Sequence, residues 1–191
     1  MITSNGGVNG KGTVLKINTL TAVTTKLVDL TTTSGNTEPY SKGQAYVYNG
    51  DYVCLYGNVL GRYESSTGLY TETAYGASNT VRPVGSVLVG NTLYFSGGTR
   101  LYILNLDTVV LTSFANSTSL MYIVFYDNVL NKVFVRRHNA NTYDSYDIAT
   151  QTKTNNDTTH TITATDLNVK NVHYYNNEMY FTNGTTGSNT K

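Results

Sequence analysis

The strongest local concentration of ligand-binding groups in the chain is the basic run Arg136-Arg137-His138. Guanidinium and imidazolium groups bind carboxylates and phosphates through charge-assisted hydrogen bonds. We place this run in the loop between the second and third strands of one repeat unit, and Arg100 enters the corresponding loop of the preceding unit. If the units close around an axis, these loops share one face. Together with Tyr143, they predict a binding site for an anionic ligand such as a sugar acid, with a plain solvated loop as the alternative.

One pair of carboxylates is close enough in sequence to suggest acid and base catalysis. Asp144 and Asp147 flank Tyr146 on a predicted strand, and their odd separation places them on opposite faces of it. Opposite faces disfavour a catalytic pair, which needs both carboxyl groups on one substrate. Asp147 also belongs to a repeated turn, in which a side-chain oxygen that caps backbone amides is the ordinary explanation. We therefore predict no catalytic role for either residue.

The remaining reactive side chains are isolated. His138, His160 and His173 have no second ligand at metal-binding spacing, so we interpret them as turn or surface histidines and predict no metal. Cys54 is the single cysteine, which excludes an intrachain disulfide, and its apolar strand setting predicts a buried, inert thiol. The chain also lacks G-x-S-x-G, a glycine-rich phosphate loop and a Cys-His pair. These absences predict no cofactor and no enzyme activity.

Charge and hydropathy narrow the range of partners. The 191 residues carry a formal charge of +1, and only 13% of them are charged, against roughly 25% in an average protein. This balance does not favour nucleic acid or an anionic membrane as partner. The first residues lack the basic and apolar regions of a signal peptide, and no apolar run approaches the ~20 residues that span a bilayer. We expect neither Sec export nor membrane insertion.

A short phrase repeats along the chain and indicates how these residues are positioned. It consists of an apolar residue, a polar residue, two further residues and threonine, and the threonines recur 41 to 46 residues apart. The four copies are Ile17-Asn18-Thr19-Leu20-Thr21, Tyr63-Glu64-Ser65-Ser66-Thr67, Leu104-Asn105-Leu106-Asp107-Thr108 and Tyr146-Asp147-Ile148-Ala149-Thr150. A period near 40 residues with short strands between turns is typical of β-propeller blades.

The strand pattern extends the phrase to whole units. In the clearest unit, strands at 85–89, 92–96, 100–104 and 109–113 are joined by turns at Gly90-Asn91, Gly97-Gly98 and the threonine phrase. The same order of strands and turns predicts units of approximately 1–34, 42–76, 84–115, 119–160 and 166–191, with the first and last incomplete. We predict an all-β, single-domain propeller (1–191) of four to five four-stranded antiparallel blades. A sandwich or barrel is the alternative.

Two features of the units need separate mention. The segment 152–159 is all polar, which predicts an outer edge strand or a loop. The last unit reaches its final residues where a third strand should begin, whereas the first residues supply a second, third and fourth strand. These complementary halves predict either a ring that closes through its ends or a segment of a larger propeller.

Parts of the repeat resemble known propeller families. Met179-Tyr180-Phe181-Thr182-Asn183 and Leu93-Tyr94-Phe95-Ser96-Gly97 resemble the second strand of YWTD-type blades. The pairs Gly97-Gly98 and Gly6-Gly7 are similar to the double glycine of kelch blades, although the tryptophan of both families is missing. The resemblance implies a propeller that serves as an interaction platform, and it carries over no functional residue.

The function that these observations favour is structural. Low charge, abundant Tyr, Thr, Asn and Gly, a β-only repeat and no catalytic set predict a non-enzymatic structural or host-recognition protein of a virus particle, such as a phage tail, fibre or capsid decoration. Its partners would be other virion proteins or further copies of itself, at the virion or an extracellular surface. The alternatives are a propeller lectin that binds a host surface glycan, a self-assembling filament or scaffold, and an enzyme whose residues lie elsewhere.

Overall fold

The structure is a computed structural model that describes residues 8, 12–29, 45–56, 59–75, 85–115, 121–137, 142–161, 169–175, 178–183 and 189–190. All regular structure in these residues is β-strand. The chain forms two compact units, residues 1–83 and residues 84–191. That residues 1–191 make a single domain stays a prediction, and Gly6-Gly7 and the strand predicted near residue 2 lie outside the described residues.

The first unit contains a two-stranded and a four-stranded antiparallel sheet, in which each strand pairs with its neighbour in sequence. The strands are β1 (Thr13–Ile17) and β2 (Thr24–Asp29), then β3 (Ala45–Tyr48), β4 (Asp51–Tyr56), β5 (Val59–Tyr63) and β6 (Tyr70–Ala74). Val14 of the small sheet packs with Cys54 and Val59 of the large one in a buried cluster. Cys54 is buried, as predicted, and burial raises the pKa of its thiol to about 12, which disfavours the reactive thiolate.

The second unit contains three antiparallel sheets with the same meander order. The first comprises β7 (Gly85–Val89), β8 (Thr92–Gly97), β9 (Arg100–Asn105) and β10 (Leu111–Ala115). The second comprises β11 (Met121–Asp127), β12 (Lys132–Arg137), β13 (Thr142–Asp147) and β14 (Thr152–Thr161), and the third β15 (Val169–Tyr175), β16 (Glu178–Asn183) and β17 (Asn189–Thr190). Strand β11 lies beside β7, β8 and β15, so the meanders meet through their first strands.

This arrangement confirms the predicted blades. The polar segment 152–159 forms β14, the outer edge of its sheet, and the final residues begin a third strand, β17, that pairs with β16. Neighbouring sheets of the second unit pack face to face: Tyr94 and Leu101 of the first contact Val133, Val135 and Tyr146 of the second. Because side chains alternate along a strand, the residues between these core positions point to the opposite face.

The turns use the chemistry that the sequence predicts. Asn49 and Gly50 join β3 to β4 with φ values of 50° and 84°, the left-handed pair that a two-residue hairpin of this type needs. Gly90 supplies φ 59° in the turn between β7 and β8. These positions favour glycine and asparagine because both tolerate positive φ.

Candidate functional site

Three threonine phrases connect the third and fourth strands of the four-stranded sheets, and the first phrase connects β1 to β2. In each phrase the polar second residue organises the turn. Asn18, Asn105 and Asp147 each accept backbone amides two or three residues further along, at 2.9 to 3.2 Å. The predicted capping role of Asp147 is confirmed. In the remaining phrase, the Glu64 carboxylate accepts the Thr67 hydroxyl at 2.9 Å. The repeated phrase is therefore a repeated turn.

Each phrase is followed by one residue with left-handed backbone. These residues are Ala22, Gly68, Val109 and Gln151, with φ between 54° and 72°. The next residue is aliphatic in three of the four units: Val23, Leu69 and Val110 are 59%, 54% and 57% exposed. The repeat therefore displays an aliphatic side chain at the same position of successive sheets.

The turns are tied to their neighbours by hydrogen bonds. In an antiparallel meander, the turn between strands one and two lies at the same end of the sheet as the turn between strands three and four. We call this end the turn edge. Leu106 N donates to Asn91 O at 2.8 Å, and Ile148 N donates to Asn131 O at 3.2 Å. In the first unit, the Ser65 hydroxyl donates to Gly50 O at 2.7 Å. Each four-stranded sheet thus has a braced turn edge.

Exposed apolar side chains concentrate at the turn edges. Most of the large exposed hydrophobic residues that the structure describes lie in these turns: Leu20, Val23, Leu69, Val110, Val129 and Leu130. Carboxylates accompany them, since Asp51, Glu64, Asp107, Asp127 and Asp147 lie in or beside the same turns. Hydrogen bonds from Arg62 and Ser65 lower the pKa of Asp51, and a hydrogen bond from Thr150 lowers that of Asp147.

A polar cluster lies on one face of the β11–β14 sheet. His160 Nε2 is 2.9 Å from Asp127 Oδ2, and its ring meets those of Phe134 and Phe125 edge-on, with centroids 4.6 and 5.4 Å apart. Burial opposes ionisation of Asp127, but amides of Leu130 and Val129 and the His160 ring lower its pKa. The expectation that His160 is a turn or surface residue was wrong, because it is a half-buried residue of β14.

A second carboxylate completes this cluster. Asp157 accepts the hydroxyls of Ser145 and Thr159 at 2.5 Å each, and Lys132 Nζ lies 3.5 Å from it. Burial raises the pKa of Asp157, but these hydrogen bonds and the Lys132 charge outweigh it and lower the pKa to about 2. The buried Ser145 hydroxyl donates to a carboxylate and faces no imidazole that could act as its base among the described contacts. The cluster holds β14 against its sheet.

The structure separates the residues of the predicted anion site. Arg100 begins β9, is exposed, and donates to Ser113 Oγ at 3.1 Å. Arg136 and Arg137 lie in β12 and not in a loop, because the strand continues in register with β13, where Arg136 faces Tyr143. His138 and the Arg137 side chain lie outside the described residues. That these residues bind an anionic ligand stays a prediction.

Burial and orientation distinguish the described members of that set. Arg136 and Tyr143 are 3% and 0% exposed. Alternation places Arg136 on the face of its sheet opposite Val133 and Val135, whereas Arg100 lies on the face of its own sheet opposite Leu101. The two packed sheets therefore lie between the two guanidinium groups. Burial raises the pKa of Tyr143, and its hydroxyl has no hydrogen-bond partner among the described residues.

Other ligand classes find little support in the described part of the chain. It holds no group of three or more His, Cys, Asp or Glu residues that could bind a metal ion. No helix within it is long and apolar enough to cross a bilayer. Each tyrosine side chain that the structure describes is buried or half-buried, so none is fully displayed for stacking on a sugar ring.

Comparison with known proteins identifies the architecture. No family model and no curated protein matches the sequence. A streptogramin B lyase structure is similar with a TM-score of 0.58 and 11% identity, over 78% of this chain and 50% of that chain. U3-55K is similar with a TM-score of 0.55 and 8% identity, over 73% of this chain and 44% of that chain. The WD40 repeats of RRP9 give the same TM-score, identity and coverage of this chain, and 43% of theirs.

The fold is a β-propeller. The chain spans about half the length of these solved structures, which include a lyase and WD40-repeat proteins. At such identities the likeness shows the fold alone, because one fold hosts many functions. The neighbours support neither a YWTD-type nor a kelch-type blade in particular, and none is described as a viral protein.

Proposed function

We propose that this chain is a non-enzymatic binding module whose turn edges contact a protein partner. The observation that carries the proposal is the repeated exposed aliphatic residue, Val23, Leu69 or Val110, held on hydrogen-bonded turns. Scattered single apolar residues are normal on a surface, but a concentration of them on one structural feature marks an interaction site. Rigid turns lose little conformational freedom when a partner docks.

The polar residues of the structure support a binding role over catalysis. Asp127 and Asp157 are occupied by hydrogen bonds that hold β14, and Asp147 caps its own turn. A catalytic carboxylate or hydroxyl must instead reach its substrate.

A charge introduced at the repeated aliphatic position tests the proposal. We expect Leu69→Asp and Val110→Asp to reduce recovery of the native partner by about tenfold or more, because an aspartate in a desolvated contact is costly. The readout is quantitative mass spectrometry of proteins that co-purify with the tagged chain from its source. Thr112→Asp, at an exposed position of outer strand β10, is the matched control. Equal recovery by all four proteins would reject the turn edge as the binding surface.

We propose further that the chain is a structural or host-recognition protein of a phage particle and that its partner is another protein of the same particle. The support for this setting is compositional: few charged residues, many Tyr, Thr, Asn and Gly, and a β-only repeat. Mass spectrometry of purified particles tests it, because a virion protein must be enriched with the capsid proteins. Recovery from uninfected cells alone would contradict the viral setting and leave the binding surface unaffected.

A further inference from the structure

The turn edge of the second unit combines apolar exposure with fixed geometry. Val110 and Val129 are 57% and 70% exposed, and Leu130 lies beside Val129 in the turn between β11 and β12. Val110 O accepts from Asn105 N at 3.1 Å, and the amides of Val129 and Leu130 donate to Asp127 Oδ1 at 2.9 and 3.1 Å. These backbone groups already have hydrogen-bond partners within the chain. A partner could therefore cover the side chains without breaking a hydrogen bond.

The turns of this edge carry acidic side chains and no basic ones. The four turns of the two four-stranded sheets, at 90–91, 106–110, 128–131 and 148–151, contain no Lys or Arg, whereas Asp107 is exposed and Asp147 flanks the last turn. The nearest lysine, Lys132, pairs in register with Asp147 and its charge lowers the pKa of that carboxyl, while its Nζ lies 3.5 Å from Asp157. Corresponding turns of neighbouring propeller blades lie on the same side of the ring, because the blades repeat around one axis. The aliphatic and acidic groups therefore share a side.

We infer that the turn edge of the second unit binds a protein segment that carries aliphatic and basic side chains. Val110, Val129 and Leu130 contact its aliphatic groups, and Asp107 and Asp147 select its lysines or arginines. This inference rests on the proposed function and specifies the partner's chemistry. The inference also excludes anionic partners. Carboxylates at the edge repel nucleic acid and anionic lipid, whereas they attract a basic protein segment.

Charge complementarity distinguishes this occupant from a purely apolar one. The whole chain has a net charge of +1, so the acidic turns are a local feature and do not reflect overall composition. Opposite charge at the rim of an apolar contact raises the association rate and suppresses wrong partners more than it adds affinity. The interaction should therefore weaken as salt screens it.

Model peptides of equal length test the inference with the full chain. The probes are a Lys/Leu peptide, a Glu/Leu peptide that removes the complementary charge, and a Lys/Ser peptide that removes the apolar groups. Fluorescence anisotropy is measured at low and at physiological salt. We expect saturable binding of the Lys/Leu peptide, and binding of the other two that is weaker by about tenfold or more. Equal binding of the Glu/Leu peptide, or no selective Lys/Leu binding, would overturn the inference.

Variants locate the binding. Val110→Ser combined with Val129→Ser should weaken Lys/Leu binding by about tenfold, and Asp107→Asn combined with Asp147→Asn should weaken it and flatten its salt dependence. Thr112→Ser, on outer strand β10, should bind as the parent does, and circular dichroism confirms that each variant is folded. Unchanged binding by both double variants overturns the inference. If the turn-edge variants lose the native partner but the chain binds all three peptides equally, the proposed function is supported. The inference that the partner carries aliphatic and basic side chains is then rejected.

Discussion

Four residues of different types adopt the same left-handed backbone conformation after the repeated threonine. Ala22, Gly68, Val109 and Gln151 follow the repeated threonine, and all have φ between 54° and 72°. Left-handed backbone costs a residue with a Cβ roughly 1–2 kcal/mol, and β-branched side chains are least suited to it. Of the four, only Gly68 is free of this cost. The turn geometry is therefore imposed by its hydrogen bonds and not by the residue that occupies the strained position.

Replacing the strained valine should stabilise the protein. We predict that Val109→Gly raises the free energy of unfolding by about 1 kcal/mol, because the relief of strain exceeds the extra entropy of the unfolded chain. Urea unfolding measures it. The reverse change at the equivalent position, Gly68→Val, should destabilise, since φ is 72° and the added Cβ would meet only Tyr63 Oη at an ordinary 3.7 Å. A less stable Val109→Gly protein would show that the side chain contributes more than the backbone costs.

The Asp157 carboxylate should make stability depend on pH. Its pKa in the folded protein is about 2, against 3.8 for the free group. A lowered pKa contributes stability that is present above about pH 4 and is lost as pH falls toward 2. We predict that Asp157→Asn lowers the free energy of unfolding at pH 7 by about 1–2 kcal/mol, and that its difference from the parent narrows between pH 4 and pH 2. A difference that stays constant over this range would mean that packing, not charge, accounts for the loss.

At the scale of elements, β14 is a strand held by polar side chains. Its pairing with β13 shifts register twice: Asn156 N donates to Asp144 Oδ1 at 3.0 Å, and residues 158–160 lie between the pairs Tyr143↔Asp157 and Thr142↔Thr161. These extra residues place His160 against Phe134. An all-polar outer strand can thus remain on its sheet because carboxylates of β11, β13 and β14 satisfy it.

Removing the contact between His160 and Asp127 should loosen β14 selectively. We predict that His160→Ala destabilises the protein by about 1–3 kcal/mol, because it leaves the buried Asp127 oxygen with one partner fewer. Hydrogen exchange should accelerate at β14 and remain unchanged at β8 and β9.

A conservative variant separates the ion contact from packing. Asp127→Asn keeps an oxygen for the amides of Val129 and Leu130 but removes the carboxylate that meets His160. If the contact matters, the double variant should lose less stability than the two single variants together. Additive losses would mean that His160 acts through its aromatic contacts alone.

The strands could be predicted closely from sequence, but the side-chain clusters could not. Alternation and Asn-Gly or Gly-Asn turns mark β3, β4 and β7 to β9, because these signals are local. The contact between Asp127 and His160 joins the first and last strands of a four-stranded sheet, and His160 is one of the extra residues of β14 that have no register partner in β13. No local pattern carries that information. The nearest signal was Asp157 followed by Thr159 and His160 in an otherwise Thr- and Asn-rich strand.

Arg136 illustrates the same limit for the predicted site. The run Arg136-Arg137-His138 has the composition of an exposed loop, yet Arg136 is buried within β12. Its position follows from the ladder on both sides of the strand and not from its own type. A long side chain can pack its aliphatic stem along a sheet, which composition does not reveal.

At the scale of the whole molecule, stability should depend little on ionic strength. Only 13% of residues are charged, and the pair between Lys26 and Asp29 joins neighbours of one strand with the lysine side chain 54% exposed. Such pairs contribute roughly 0–1 kcal/mol. We predict that NaCl up to ~0.5 M changes the free energy of unfolding by less than about 1 kcal/mol, measured by urea titration. A larger decrease in the free energy of unfolding at high salt would indicate that ion pairs contribute more to stability than this.

The meander order of the sheets has a consequence for how the chain is made. Because each described strand pairs with its sequence neighbour, contact order within a sheet is low and each sheet can form as soon as its own residues leave the ribosome. The sheet β7–β10 would then be complete while the residues that cover Tyr94 and Leu101 are still being translated. Until β12 and β13 emerge, the nascent chain presents a finished but uncovered apolar face, and a pause after β10 has left the ribosome and before β12 has done so would be the moment of greatest demand for a chaperone.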